Sequence, residues 1–96
     1  MDIKNELNVK LQASNDAFEV INSIVDTNIF PIYIFKVDNK LYVDDTKLRQ
    51  SLYLDNDLMN FCKTIEIRDI YIRIFKKVLD ELLNTYYTNK INKGVY

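Results

Sequence analysis

DIYIRIFKKVLDELLNTYYT, residues 69–88, places apolar or aromatic side chains at Tyr71, Phe75, Val78, Leu79, Leu82 and Tyr86. That three- and four-residue spacing puts them on one face of an α-helix. Projected at about 100° per residue, these residues with Ile72, Ile74 and Leu83 fill an arc of roughly 180°, wider than the ~100° stripe of an ordinary surface helix. Such a helix packs on two sides, with Leu82 near the middle of the arc. Arg73, Lys77, Asp80, Glu81 and Asn84 form the opposite face. Asp69 is placed to cap the first turn, and Asn89 or Gly94 lies beyond the end. The pairs Lys76/Asp80 and Lys77/Glu81 are spaced i,i+4 with the base first, the weaker orientation, so burial rather than charge must hold the helix.

Upstream, Ile65 and Ile67 alternate with Glu66 and Arg68, the pattern of a brief strand or extended link. Leu58–Lys63 forms a short helix presenting Leu58, Phe61 and Cys62. Before it, Asp44-Asp45-Thr46 supplies an N-cap for a helix carrying Leu48 and Leu52, closed by Asp55-Asn56-Asp57. Ile29–Val37 is dense in β-branched and aromatic residues and predicts a strand, with Pro31 near its start. Asp38-Asn39-Lys40 forms a turn and Leu41–Val43 returns as the second strand. Ser14-Asn15-Asp16 offers N-caps, with Glu19 placed for a capping box, to a helix of about 16–27 bearing Ala17, Phe18, Ile21, Ile24 and Val25. Leu7, Val9 and Leu11 alternate with polar residues and favour a short strand over 7–11, with a helix from Ile3 as its rival. The expected fold class is α+β: a small antiparallel sheet, made of the 29–43 hairpin and the N-terminal strand, packed on the long C-terminal helix (69–88) and shorter helices.

At 96 residues, with 48% of them hydrophobic, the chain suits a single domain (1–96) with one core and a frayed tail at 89–96. Ile, Asn, Lys, Asp and Tyr supply about half the residues, a bias of AT-rich coding sequences such as those of viruses, phages, plasmids and low-GC bacteria. Net charge is −1, with seven Lys/Arg against four Asp/Glu in residues 63–96 and six against ten before them. Neither part has the charge of a strong polyanion binder. One cysteine allows no internal disulfide, and no apolar run suits a signal peptide or a membrane span, so an intracellular, cytoplasmic setting without membrane association is expected.

The chemistry of common enzymes is missing from the sequence. Without histidine there is no Ser-His or Cys-His pair and no imidazole ligand for zinc. With Gly94 the only glycine, phosphate loops and dinucleotide fingerprints are excluded, because both need close backbone approach. Asp55, Asp57 and Glu66 match positions one, three and twelve of a calcium loop, but Met59 replaces an oxygen ligand and Asn60 the turn glycine, so these acids serve as caps and solvated charges. Cys62 beside Phe61 is a buried apolar residue. No enzyme, cofactor or metal is expected.

A hairpin, then LYVDDTKL (Leu41–Leu48), then NDLMNFCKTI (Asn56–Ile65) makes residues 37–67 resemble the core of the KilA-N and BRO-N DNA-binding domains of large DNA viruses and phages. In that pattern a strand ending in Tyr precedes Thr-Lys-Leu, and an aromatic follows about a dozen residues later. Tyr42, Thr46, Lys47 and Leu48 fit, Phe61 stands where the family has tryptophan, and the family's glycines are absent. The resemblance implies DNA binding, with Lys47, Arg49, Lys63 and Arg68 on phosphates or bases.

Composition and pattern favour a different function: a small non-catalytic protein that binds another protein, of the inhibitor or adaptor type and of viral or phage character. The wide arc leaves Ile70, Ile72, Leu83 and Tyr87 along one flank of the long helix as the binding surface, unless the hairpin or the 16–27 helix covers them. A two-fold copy of the same helix, giving a homodimer, is the simplest external cover. DNA binding is the alternative.

Overall fold

The computed structural model describes residues 3–87, the last two by backbone alone. In chain order these form α1 (Ile3–Thr27), β1 (Ile34–Val37), β2 (Lys40–Val43), α2 (Asp45–Tyr53), α3 (Asn56–Cys62) and α4 (Ile65–Leu82), which a π-helical turn, Leu83–Tyr87, extends. The architecture is α+β, a two-stranded antiparallel hairpin with a long C-terminal helix and three further helices. The expected helix end at Thr88 and the tail at 89–96 lie outside the described residues.

The strand expected over 7–11 is instead part of α1, a helix of 25 residues. Leu7 and Leu11 are four apart and share a side of the helix, while Val9 turns the other way and joins Ala13, Ala17, Ile21 and Ile24 in the core. Local alternation therefore matched a longer helical pattern whose middle members are two alanines. Ser14-Asn15-Asp16 does not start a helix because Asp16 has partners within the fold: it accepts from the Gln12 amide at 2.8 Å and from the Tyr71 hydroxyl of α4. α1 ends where expected. Asn28 turns left-handed at φ 55° and its N–H bonds the Ile24 carbonyl at 2.8 Å, an asparagine C-terminal cap.

The hairpin is shorter than the sequence suggests, because β1 begins only at Ile34. Residues before it bend instead, with the Ile34 N–H bonding the Pro31 carbonyl at 3.0 Å. Ile34 pairs with Val43 and Val37 with Lys40. The loop is the two residues Asp38 and Asn39, at φ 50° and 70°, and left-handed conformations at both positions match the twist of the strands. Ile34 and Leu41 are buried, whereas Phe35 and Tyr42 stack on the outer face, ring centroids 5.6 Å apart.

Side-chain caps set the remaining boundaries, each contributing about 1 kcal/mol. Asp44 accepts from the Lys47 N–H at 3.0 Å and Asp55 from the Leu58 N–H at 3.1 Å. Thr64 accepts from the Ile67 N–H at 3.2 Å, so α4 starts at Ile65 and residues 65–68 are helical rather than extended. Asp69 is therefore no cap. Its carboxylate accepts from the Tyr53 hydroxyl of α2 at 3.1 Å.

The core is one cluster in which α4 is central, carrying Tyr71, Ile72, Phe75 and Leu79, with Leu83 following in the π turn. Leu82 is only half-buried; the middle of the covered face is Phe75 and Leu79. Alanine at 13 and 17, both fully buried, leaves no side-chain bulk between α1 and its neighbours. Leu48 and Leu52 of α2, and Leu58 and Cys62 of α3, complete the cluster. Each large apolar side chain so buried stabilises the fold by about 1.5–3 kcal/mol.

Tyr71 ties α1 to α4 and makes the fold alkali-sensitive. Burial first, then the bond to Asp16 and that carboxylate's charge, push its phenol above the ordinary value. The unfolded chain ionises this group near pH 10 while the fold keeps it protonated, so its contribution is complete below about pH 10 and is lost as pH rises further. Melting measured from pH 8 to 11.5 should show a steeper fall for the natural chain than for Tyr71→Phe. Parallel curves would refute the assignment.

Candidate functional site

A row of exposed apolar side chains runs along the N-terminal half of α1. Leu7, Leu11 and Phe18 are 59%, 63% and 51% exposed, and Ile3 at the start of the helix extends the row. Leu7, Leu11, Ser14, Phe18, Ile21 and Val25 follow one another at four, three, four, three and four residues. This is the seam spacing with which a helix packs on another helix. Within the chain the seam is closed at Ile21, which is buried, and Val25, which is half-buried; it is open from Leu7 to Phe18. Its outer rim carries Asn8, Asn15 and Asn22 every seven residues, with Lys4, Glu19 and Asp26 beside them.

Ser14 joins this seam to a groove of about 630 Å³ between α1 and α4. The α4 wall is apolar at Ile70, Ile74 and Val78, all half-buried, and the margins carry both signs: Glu6 and Lys10 on α1, Arg73, Lys77 and Glu81 on α4. Lys10 and Glu6 stand 3.6 Å apart. A second groove, between α2 and α4, has a mixed lining in which Arg49, Arg73, Lys76 and Lys77 alternate with Asp45, Asp69, Asp80 and Glu81. Partial burial pushes the Asp80 carboxyl up, and Lys76, 3.8 Å away, pulls it back.

The flank expected to bind a partner is divided by the structure. Ile72 and Leu83 are buried inside the chain, so their cover is already supplied. Ile70 is half-buried and lines the α1/α4 groove, and the Tyr87 side chain lies outside the described ones. The wide arc of α4 is thus met on both sides by its own chain, α1 on one and α2 with the hairpin on the other.

The four cations of the DNA-binding alternative are spread over three segments. Lys47 and Arg49 are two residues apart on α2 and project in different directions. Arg49 lies 3.6 Å from Asp45. Lys63, at φ 59°, occupies the bend between α3 and α4. Arg68 lies over the Tyr53 ring at 5.1 Å, with its Nε buried. Asp55 is engaged as the cap of α3, and Cys62 is fully buried, its thiol pushed up by that burial and drawn back in part by Arg68. Among the described residues no group of three or more Cys, Asp or Glu side chains is placed to hold a metal ion, and no helix is long and apolar enough to cross a membrane.

Leu7, Leu11 and Phe18 were not singled out as a surface by sequence reasoning, because residues 7–11 read as a strand. The signal that finds them is the heptad spacing, which continues through the polar Ser14. A scan against family models, a search of curated proteins and a search of solved structures each returned no match.

Proposed function

We propose that this chain is a non-catalytic protein-binding module whose binding face is the open seam of α1 together with the adjoining α1/α4 groove. The observation that carries this reading is the exposure of Leu7, Leu11 and Phe18 in one row at helix-packing spacing. Isolated exposed apolar residues are ordinary on a protein surface, but a contiguous row bordered by polar residues marks a place where another surface sits. A row spaced for helix packing takes an amphipathic helix, with affinity from a few apolar anchors and direction from the polar rim. The absence of histidine and the single glycine in the sequence support a role without catalysis.

Affinity capture from the native host tests this, with the full chain and with Phe18→Glu as parallel baits. A protein retained by the natural chain and lost with Phe18→Glu is the expected result. Equal retention by both baits would overturn the assignment of the face. A gel-shift series with duplex DNA accompanies it: shifts that fade steeply as salt rises, and vanish with Lys47→Ala, would turn the reading toward nucleic acid.

A further inference from the structure

We infer that the open seam of α1 is covered by a second copy of this chain, the two α1 helices packing antiparallel about a two-fold axis. The inference rests on the protein-binding reading and names its partner. Its first support is register. An antiparallel pairing centred between Leu11 and Ser14 sets Leu7 of one copy against Phe18 of the other, and Leu11 against Ser14, so that large residues meet at the ends and a leucine covers the small serine in the middle. The row from Ile3 to Phe18 is about 22 Å long, enough for a continuous helix-helix contact.

The second support is charge. A two-fold contact brings a patch against itself, so a rim of one sign would repel its own copy. Here the outer rim is Asn8, Asn15 and Asn22, whose amides both donate and accept and therefore suit their own kind, and the charges beside them, Lys4, Glu19 and Asp26, are of both signs. Along the inner margin Glu6 and Lys10 already form a pair of opposite charges. Along the groove as a whole Lys10, Arg73 and Lys77 are interleaved with Glu6 and Glu81, so both signs are present for a second copy to pair with.

The third support is area. Four large side chains at these exposures offer on the order of 400–500 Å² of apolar surface, to which the half-buried groove wall at Ile70, Ile74 and Val78 adds a smaller share, below the ~800 Å² per partner of a standard complex. One such patch used twice lies at the small end of specific interfaces, the size of a reversible, concentration-dependent contact.

Light scattering after size exclusion, from about 5 to 500 μM protein, reads this directly. The natural chain should pass from 11.4 kDa toward twice that mass as concentration rises. Leu11→Glu should remain at 11.4 kDa throughout, with unchanged helical circular dichroism. Leu7→Ser combined with Phe18→Ser, which adds no charge, should give the same loss. Phe35→Glu, which removes an exposed aromatic from the hairpin, should dimerise like the natural chain. A natural chain that stays at 11.4 kDa at the highest concentration overturns the inference, and so does a dimer indifferent to both α1 variants. Neither result touches the wider protein-binding reading, which the capture experiment decides separately.

Discussion

Phe75→Ala is expected to remove about 3–5 kcal/mol of stability, the usual loss when a large buried aromatic is truncated. Phe75 is 2% exposed at the centre of α4, stacked on Tyr71 with ring centroids 5.9 Å apart and meeting Tyr33 edge-on at 6.3 Å. Both ring contacts vanish with it, and each aromatic pair contributes about 0.5–1.5 kcal/mol beyond simple burial. A chain of this size has a total stability of roughly 5–14 kcal/mol, so the variant should lose a large fraction of it. At about 4–8 °C per kcal/mol, its midpoint should fall by more than ten degrees. Leu82→Ala, at a half-buried position, should lose clearly less, and Glu81→Ala, on the exposed face, should stay within about 0.5 kcal/mol of the natural chain. Equal melting of Phe75→Ala and Leu82→Ala would mean that α4 is rotated from the orientation described.

The sequence shows elements more readily than their partners. The hairpin turn was legible because Asp38-Asn39 is chemistry for one local conformation, and α2 and α3 because Asp44 and Asp55 act on backbone groups three residues away. α4 was legible because nine apolar positions repeat along a single helix. The start of α4 was not, since Thr64 as a cap and Asp69 as a cap look alike until Tyr53 is seen donating to Asp69. α1 failed for a similar reason. Residues 7–11 satisfy strand alternation and helix spacing equally, and the arbiters are Ala13 and Ala17, small residues whose burial depends on what packs against them. Asp16, a strong local cap in isolation, is held within the helix by Tyr71, fifty-five residues away.

The candidate surface followed the same division. A wide apolar arc on 69–88 was correctly seen as packing on two sides, but periodicity carries no information on which element supplies each cover. α1 covers one side of α4 and α2 with the hairpin the other, and Ile72 with Leu83, on the side away from α1, therefore became core. Once α1 is recognised as one helix, the unpaired apolar row moves from α4 to Leu7, Leu11 and Phe18.

That relocation has a decisive consequence at Ile72. Were this residue part of an outer flank, Ile72→Lys would separate two copies and leave each one folded. Buried at 1% exposure, it should instead unfold the single chain, at a loss on the order of 4–5 kcal/mol, because an ammonium cannot be left unpaired in an apolar interior. The lysine stem can bend toward the groove between α2 and α4. Asp45, Asp69, Asp80 and Glu81 line it, but so do Arg49, Arg73, Lys76 and Lys77, so the escape recovers only part of the loss. Whatever charge stays buried is held below its ordinary pKa, so the unfolded chain binds the extra proton and the deficit should narrow as pH rises from 6 to 9. Leu11→Lys, on the open seam, should melt close to the natural chain at the same pH values. Denaturant unfolding of the two lysine variants side by side reads the difference. A folded, fully stable Ile72→Lys would return that side chain to the surface and, with it, the long helix to the role of docking face.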